Sequence, residues 1–172
     1  MRQDGQNEEA RVTYEKLIND LETTSGISRA NAAYELGKLR DQRAAKALIR
    51  MLDDPHMGVR SNAAYSLGEL GGLQAIPHLL RLLKDQHERV RKSAAKALGM
   101  LRSNDAVPSL IEALDDISYL VRKNIVRSLG QIGGASAASA LERATADPDQ
   151  IVASMAEQAL AKLKKPAAAE KS

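Results

Sequence analysis

Arginines, lysines and tyrosines recurring at a fixed step carry most of the chemistry this chain can offer. Arg29, Arg60, Arg91 and Arg122 follow one another at intervals of 31 residues. Such a row of guanidinium groups could bind an anion, since each presents a rigid fork of donors. Asp54, Asp85 and Asp116 each precede an arginine by six residues, so ion pairing competes for the same row. A second row at the same step reads Tyr34, Tyr65, Lys96, Arg127, Gln158. Beside it run Asn31, Asn62, Ser93, Asn124, Met155, then Ala30, Ser61, Lys92, Lys123, Ser154, and then Lys38, Glu69, Met100, Gln131, Lys162. His56 and His87 share one position in adjacent units, and two neighbouring imidazoles could begin a metal site, but further ligands are lacking. They read as solvated turn histidines, His78 reads as a surface residue, and no metal is expected. The absence of cysteine excludes thiolate ligands, disulfides and a cysteine nucleophile. No phosphate-cradling glycine loop, dinucleotide fingerprint or nucleophile-elbow string occurs, and no serine is paired with a base. No catalytic residue and no cofactor are therefore expected.

The same period organises the apolar residues, and so the elements that hold these groups. Leu17, Leu48, Leu79, Leu110 and Leu141 keep the 31-residue step, as do Leu39, Leu70, Leu101, Ile132 and Leu163. Repetition on this scale marks a solenoid, in which each unit buries its apolar face on its neighbours. Within a unit the apolar residues fall at helical spacing, twice. Ile76, Leu79, Leu80 and Leu83 form one stripe, and Val90, Ala94, Ala95, Leu98 and Leu101 form the next. Pro77 and Pro108 sit in first turns, where a missing N–H costs little. Asp54-Pro55 and Asp147-Pro148 read as an N-cap followed by proline. Gly71-Gly72 and Gly133-Gly134 read as helix ends.

First helices are expected near 10–22, 42–52, 74–84, 105–115 and 136–146. Second helices are expected near 27–39, 57–70, 88–101, 119–132 and 149–164. Residues 1–9 and 165–172 fall outside the period and are expected to be disordered. Phe and Trp are absent and only four Tyr occur, so the core must be built from Leu, Ile, Val and Ala. The polar start of the chain does not read as a signal peptide, and no run approaches the length needed to span a membrane. With no cysteine, a cytoplasmic location is expected. The net charge of +3 is too small to mark a nucleic-acid binder by itself.

The run Asp-Pro-x-x-x-Val-Arg-x-x-Ala-Ala-x-x-Leu-Gly is present as Asp54-Pro55, Val59-Arg60, Ala63-Ala64 and Leu67-Gly68. It recurs as Asp85, Val90-Arg91, Ala94-Ala95 and Leu98-Gly99. In this run the chain resembles the short HEAT repeats of the phycobilisome-lyase-like class. The resemblance covers roughly 10–164. It implies one all-α domain, a right-handed α-solenoid of five two-helix HEAT-like repeats, near 10–41, 42–72, 73–103, 104–134 and 135–164. It also implies that Arg60, Arg91 and Arg122 with Asp54, Asp85 and Asp116 form a structural ladder that ties one turn to the next. His87-Glu88 is similar to the His-Glu pairs of the HEAT-repeat iron hydroxylase that modifies deoxyhypusine. Those pairs lie inside helices, where this chain has Ser61-Asn62 and Lys92-Ser93.

The resemblance further implies that second helices line a concave face. Tyr34, Lys38, Asn62, Tyr65, Lys92, Lys96, Met100, Lys123, Asn124 and Arg127 then form the candidate partner-binding surface. The expected function is a non-catalytic, monomeric adaptor or scaffold that binds an acidic, partly apolar segment of another protein. A bilin lyase, or a bilin-handling subunit in phycobilisome biogenesis or turnover, is the first alternative, although a groove without Phe or Trp is poorly equipped for a tetrapyrrole. Nucleic-acid binding through the basic half of the groove is the second, and the interrupting acids disfavour it.

Overall fold

The computed structural model describes the backbone of residues 2–164 and the side chains of residues 11–164. All regular structure among the described residues is helical. Five second helices, α2 (Gly26–Leu39), α4 (Met57–Leu70), α6 (Glu88–Leu101), α8 (Tyr119–Ile132) and α10 (Gln150–Lys164), alternate with the first helices α1 (Arg2–Asp20), α3 (Ala45–Arg50), α5 (Ile76–Leu82), α7 (Val107–Glu112) and α9 (Ala135–Ala144). Helix α1 begins inside the segment 1–9 that was expected to be disordered. Gln3, Gln6, Glu8, Glu9 and Ala10 are good helix formers, and they carry the helix past the end of the period. The expected disordered tail, 165–172, lies outside the described residues.

The first helices of the inner units are shorter than their apolar stripe suggests. Helix α3 lies between 3-10 turns at Gln42–Ala44 and Met51–Asp53. A 3-10 turn at Leu73–Ala75 leads into α5, and α7 lies between turns at Asn104–Ala106 and Ala113–Asp115. A 3-10 turn rises about 2 Å per residue against 1.5 Å for the α-helix. The first helix therefore spans the unit with few residues, and the connections stay tight. The N-caps also differ from expectation. His56 and His87 cap α4 and α6, whereas Asp54 and Asp85 stand two residues earlier and accept their N–H groups at 2.8 and 2.9 Å. An Asx turn, rather than a capped first turn, frees the rest of each carboxylate for a longer-range partner.

Leu36, Leu67, Leu98 and Leu129 from the second helices meet Leu48, Leu79, Leu110 and Leu141 from the first, all fully buried. The core is one continuous apolar layer running the length of the stack. Consecutive second helices pack along their whole length, whereas consecutive first helices touch at few points. The second helices thus form the tightly packed row of the stack. The Leu-Gly step of the first four units makes that approach possible. A Cβ on Gly37 would stand 2.8 Å from the Ser66 Cα, and one on Gly68 would stand 2.8 Å from the Ala97 Cα. The Ser66 and Ser128 hydroxyls, buried at the same seam, donate to the carbonyls of Ala33 and Ala95 at 2.8 Å. Small residues let backbones meet, and the hydroxyls satisfy themselves on the neighbouring helix.

Candidate partner-binding face

The repeated arginines are fully engaged. Arg29 donates through Nε and Nη2 to Asp54 at 2.7 and 2.9 Å. Arg60 does the same to Asp85 at 2.8 and 3.0 Å, Arg91 to Asp116 at 2.6 and 3.0 Å, and Arg122 to Asp147 at 2.8 and 2.9 Å. The remaining Nη1 of Arg60, Arg91 and Arg122 donates to the carbonyls of Asp54, Asp85 and Asp116 in its own turn, at 2.8 to 2.9 Å. Each arginine thus binds the backbone of one turn and the carboxylate of the next. No donor fork is left for a free anion. Burial works to raise the Asp54, Asp85 and Asp116 carboxyls, but the arginine and backbone hydrogen bonds outweigh it and hold all three below the usual carboxylate range. At Asp147 the hydrogen bond from Arg122 is the largest influence, in the same direction. Arg29 and Asp147, outside the candidate ladder set, close the row at its two ends. The recurring Asp-Pro turn at Asp147-Pro148 was the sequence signal for the second.

The histidines do not assemble a metal site. His87 Nδ1 lies 3.3 Å from Asp85 Oδ1 and 3.2 Å from Arg60 Nη2, so its ring extends the ladder. Among the described residues no cluster of His, Asp and Glu could hold a metal ion.

The second-helix face brings several candidates together. The rings of Tyr34 and Tyr65 stack with centroids 6.4 Å apart and planes at 23°. Lys38 Nζ lies 5.6 Å from the Tyr34 ring centre and Lys96 Nζ lies 4.4 Å from that of Tyr65, so two cations flank the aromatic pair. The Tyr65 hydroxyl donates to Glu69 at 2.9 Å, which raises the phenol above its ordinary value. Asn62 donates to the Ala30 carbonyl at 2.8 Å and accepts from Arg89 at 3.3 Å. Asn124 differs from the other candidates. It is buried, and its amide donates to the Leu120 carbonyl of its own helix at 2.7 Å. That column lies at the seam between second helices, so a side chain there is drawn inward. Lys92, Lys96 and Met100 on α6 are half-buried along their stems, as is Lys123 on α8, while Arg127 is exposed.

A depression of about 360 Å³ opens between α8 and α10, lined by Arg127, Gly130, Gln131, Met155, Gln158, Ala159 and Lys162. Most of these residues stand in the rows that the period defines. Their union into a pocket depends on interhelical register, which the period does not carry.

The family of HEAT repeats matches residues 14–95 and 76–161. A comparison with curated protein sequences finds no match. Among solved structures, the chain is similar to a chain of the complex of CpcE and CpcF of phycocyanin lyase from Nostoc sp. PCC7120. The TM-score is 0.80 at 29% identity, over 89% of this chain and 65% of that one. This chain therefore spans less than two thirds of that relative. An engineered protein aligns at TM-score 0.67 and 23% identity, over 87% of this chain and 78% of its own. A designed armadillo repeat protein, solved in complex with the peptide (KR)4, aligns at 0.65 and 24%, over 86% and 80%. These last two share the fold. With the family matched over two overlapping segments that together run from residue 14 to residue 161, the chain belongs to the HEAT-repeat family.

Proposed function

We propose that this chain is a non-catalytic interaction adaptor whose concave face receives an acidic, partly apolar segment of another protein. One observation carries the reading. Lys92, Lys123, Arg127 and Lys162 lie in the second-helix rows and make no hydrogen bond or ion pair with any described residue. The ladder arginines, by contrast, are all paired. Unpaired cations on a repeat-protein groove attract carboxylates, mainly raising the association rate and the salt sensitivity of binding. The Tyr34–Tyr65 pair, with Tyr34 42% exposed, offers apolar contact at the other end of the same face. The decisive experiment is selection of a random peptide library against the purified chain at low salt. Enrichment of Asp- and Glu-rich peptides containing aliphatic or aromatic residues is expected. Enrichment of basic peptides, or none at all, overturns the reading.

The similarity to a phycocyanin lyase chain favours a second reading, in which the groove handles a bilin. Its two tyrosines form the one stacked ring pair among the described residues, which is little aromatic wall for a tetrapyrrole. Incubation with a bilin separates the two readings: a saturable shift in the bilin absorbance supports this one, and an unchanged spectrum removes it.

A further inference from the structure

The two ends of the concave face differ in what they leave unengaged. Around the tyrosines, polar groups satisfy one another. Lys38 is paired with Glu35 at 2.9 Å, Tyr65 and Arg40 both reach Glu69, and Arg89 reaches Asn62. What remains there is ring surface. At the other end the cations are free, and between α8 and α10 lies the depression of about 360 Å³. Met155 and Ala159 give that depression part of its lining, and Gly130 lets α8 and α10 approach beside it. A Cβ on Gly130 would stand 2.9 Å from the Ala159 Cβ. Arg127 and Lys162 stand at its rim. A depression with an apolar patch at Met155 and Ala159, beside unpaired cations, suits an apolar side chain flanked by carboxylates. Its volume, at the low end for ligand pockets, suits one side chain rather than a large cofactor.

The distance between this depression and the tyrosine pair follows from the stack. The tyrosines lie between α2 and α4, and the depression lies between α8 and α10, three helix steps further on. At about 9 Å per step the separation is about 27 Å, which an extended chain spans in about eight residues. Building on the adaptor reading above, we propose that the groove recognises an extended acidic segment with two apolar anchors about eight residues apart. One anchor fills the depression lined by Met155, and the other lies on Tyr34 and Tyr65.

The test uses the whole chain with 13C-methyl-labelled methionine and a synthetic probe of alternating Glu and Ser, with Leu at both ends about eight residues apart. Leu at both ends lets the probe bind in either direction. Companion probes carry Ala at the ends, or the two Leu about four residues apart. The Met155 methyl resonance should shift saturably with the first probe while Met51, off the groove, stays put. Affinity for the first probe should exceed that for either companion about tenfold, from the apolar surface buried at an anchor. Gln158→Trp, placed on the exposed rim, should fill the depression and erase that advantage without disturbing the core. Equal affinity for all three probes, or tight binding that leaves the Met155 methyl unmoved, overturns the anchors while the acidic groove stands. If no probe binds, as judged by fluorescence anisotropy at low salt, both the anchors and the adaptor reading fall.

Discussion

Asp116→Asn is the sharpest probe of what ties the units together. The carboxylate accepts two hydrogen bonds from Arg91, at 2.6 and 3.0 Å, and the N–H of Ser118 at 2.8 Å. Asparagine keeps an oxygen for Ser118 but turns a donor toward the guanidinium and removes the charge. The Arg91 and Asp116 side chains are only 14% and 8% exposed, so Arg91 is left short of both solvent and partner. Breaking a buried pair in this way costs about 3–5 kcal/mol. Residual exposure and the surviving bond from Arg91 to the Asp85 carbonyl bring the expected loss to the low end, about 3 kcal/mol. The assay is urea unfolding at pH 7 followed by circular dichroism. Arg91→Met combined with Asp116→Asn should cost less than the sum of the two single changes by at least about 1 kcal/mol, because no orphaned cation remains. Acidification supplies an independent check. A carboxyl held below its unfolded value of about 3.9 contributes stability that is present above that pH and is lost as pH falls through the folded value. The parent should therefore weaken below pH of about 4 more steeply than the variant. A loss under about 0.5 kcal/mol at neutral pH, the ordinary size of a surface substitution, would refute the ladder as a structural tie, as would an unchanged acid slope.

Two further outcomes follow from the packing. Gly68→Ala should destabilise by about 1–3 kcal/mol even though alanine is the better helix former, because its Cβ would stand 2.8 Å from the Ala97 Cα; stabilisation in urea unfolding would contradict the close approach of α4 and α6. Residues 136–164 should exchange amide hydrogens before 74–132, since Leu141 is the one large residue among the buried set of α9 and α10 has a helical neighbour row on one side only; equal protection in hydrogen exchange would contradict this.

Much of the fold was legible because one period governs both kinds of helix. Leu79 and Leu98 mark opposite walls of the same layer, and their homologues 31 residues away do the same. The 3-10 turns around α3 and α7 were not legible, since residues such as Gln42 and Ala113 suit either kind of helix and the tight unit spacing decides between them. The ladder was half legible. An aspartate six residues before Arg60, Arg91 and Arg122 is visible in the chain, yet its carboxylate pairs with the arginine 25 residues earlier, and only its carbonyl meets the arginine that follows. The long guanidinium arm reaches across to the next turn, and spacing within one unit does not show that. On the second helices the row of Tyr34, Tyr65 and Lys96 was legible as a row. The inward turn of Asn124 and the depression beside Met155 were not, because both depend on how neighbouring helices nest.

The central claim is that the unpaired cations of the concave face draw in an acidic segment. It is tested most directly by titrating a fluorescent acidic, leucine-bearing peptide against the parent and against the Lys92→Glu, Lys123→Glu, Arg127→Glu variant, at low and at high salt, with helicity checked by circular dichroism. The account expects binding to the parent that weakens as salt rises, since exposed charges are screened beyond a Debye length of about 10 Å at 0.1 M. It expects at least a tenfold loss in the equally helical variant at low salt, and a smaller difference at high salt. Equal affinity of parent and variant at low salt would contradict it.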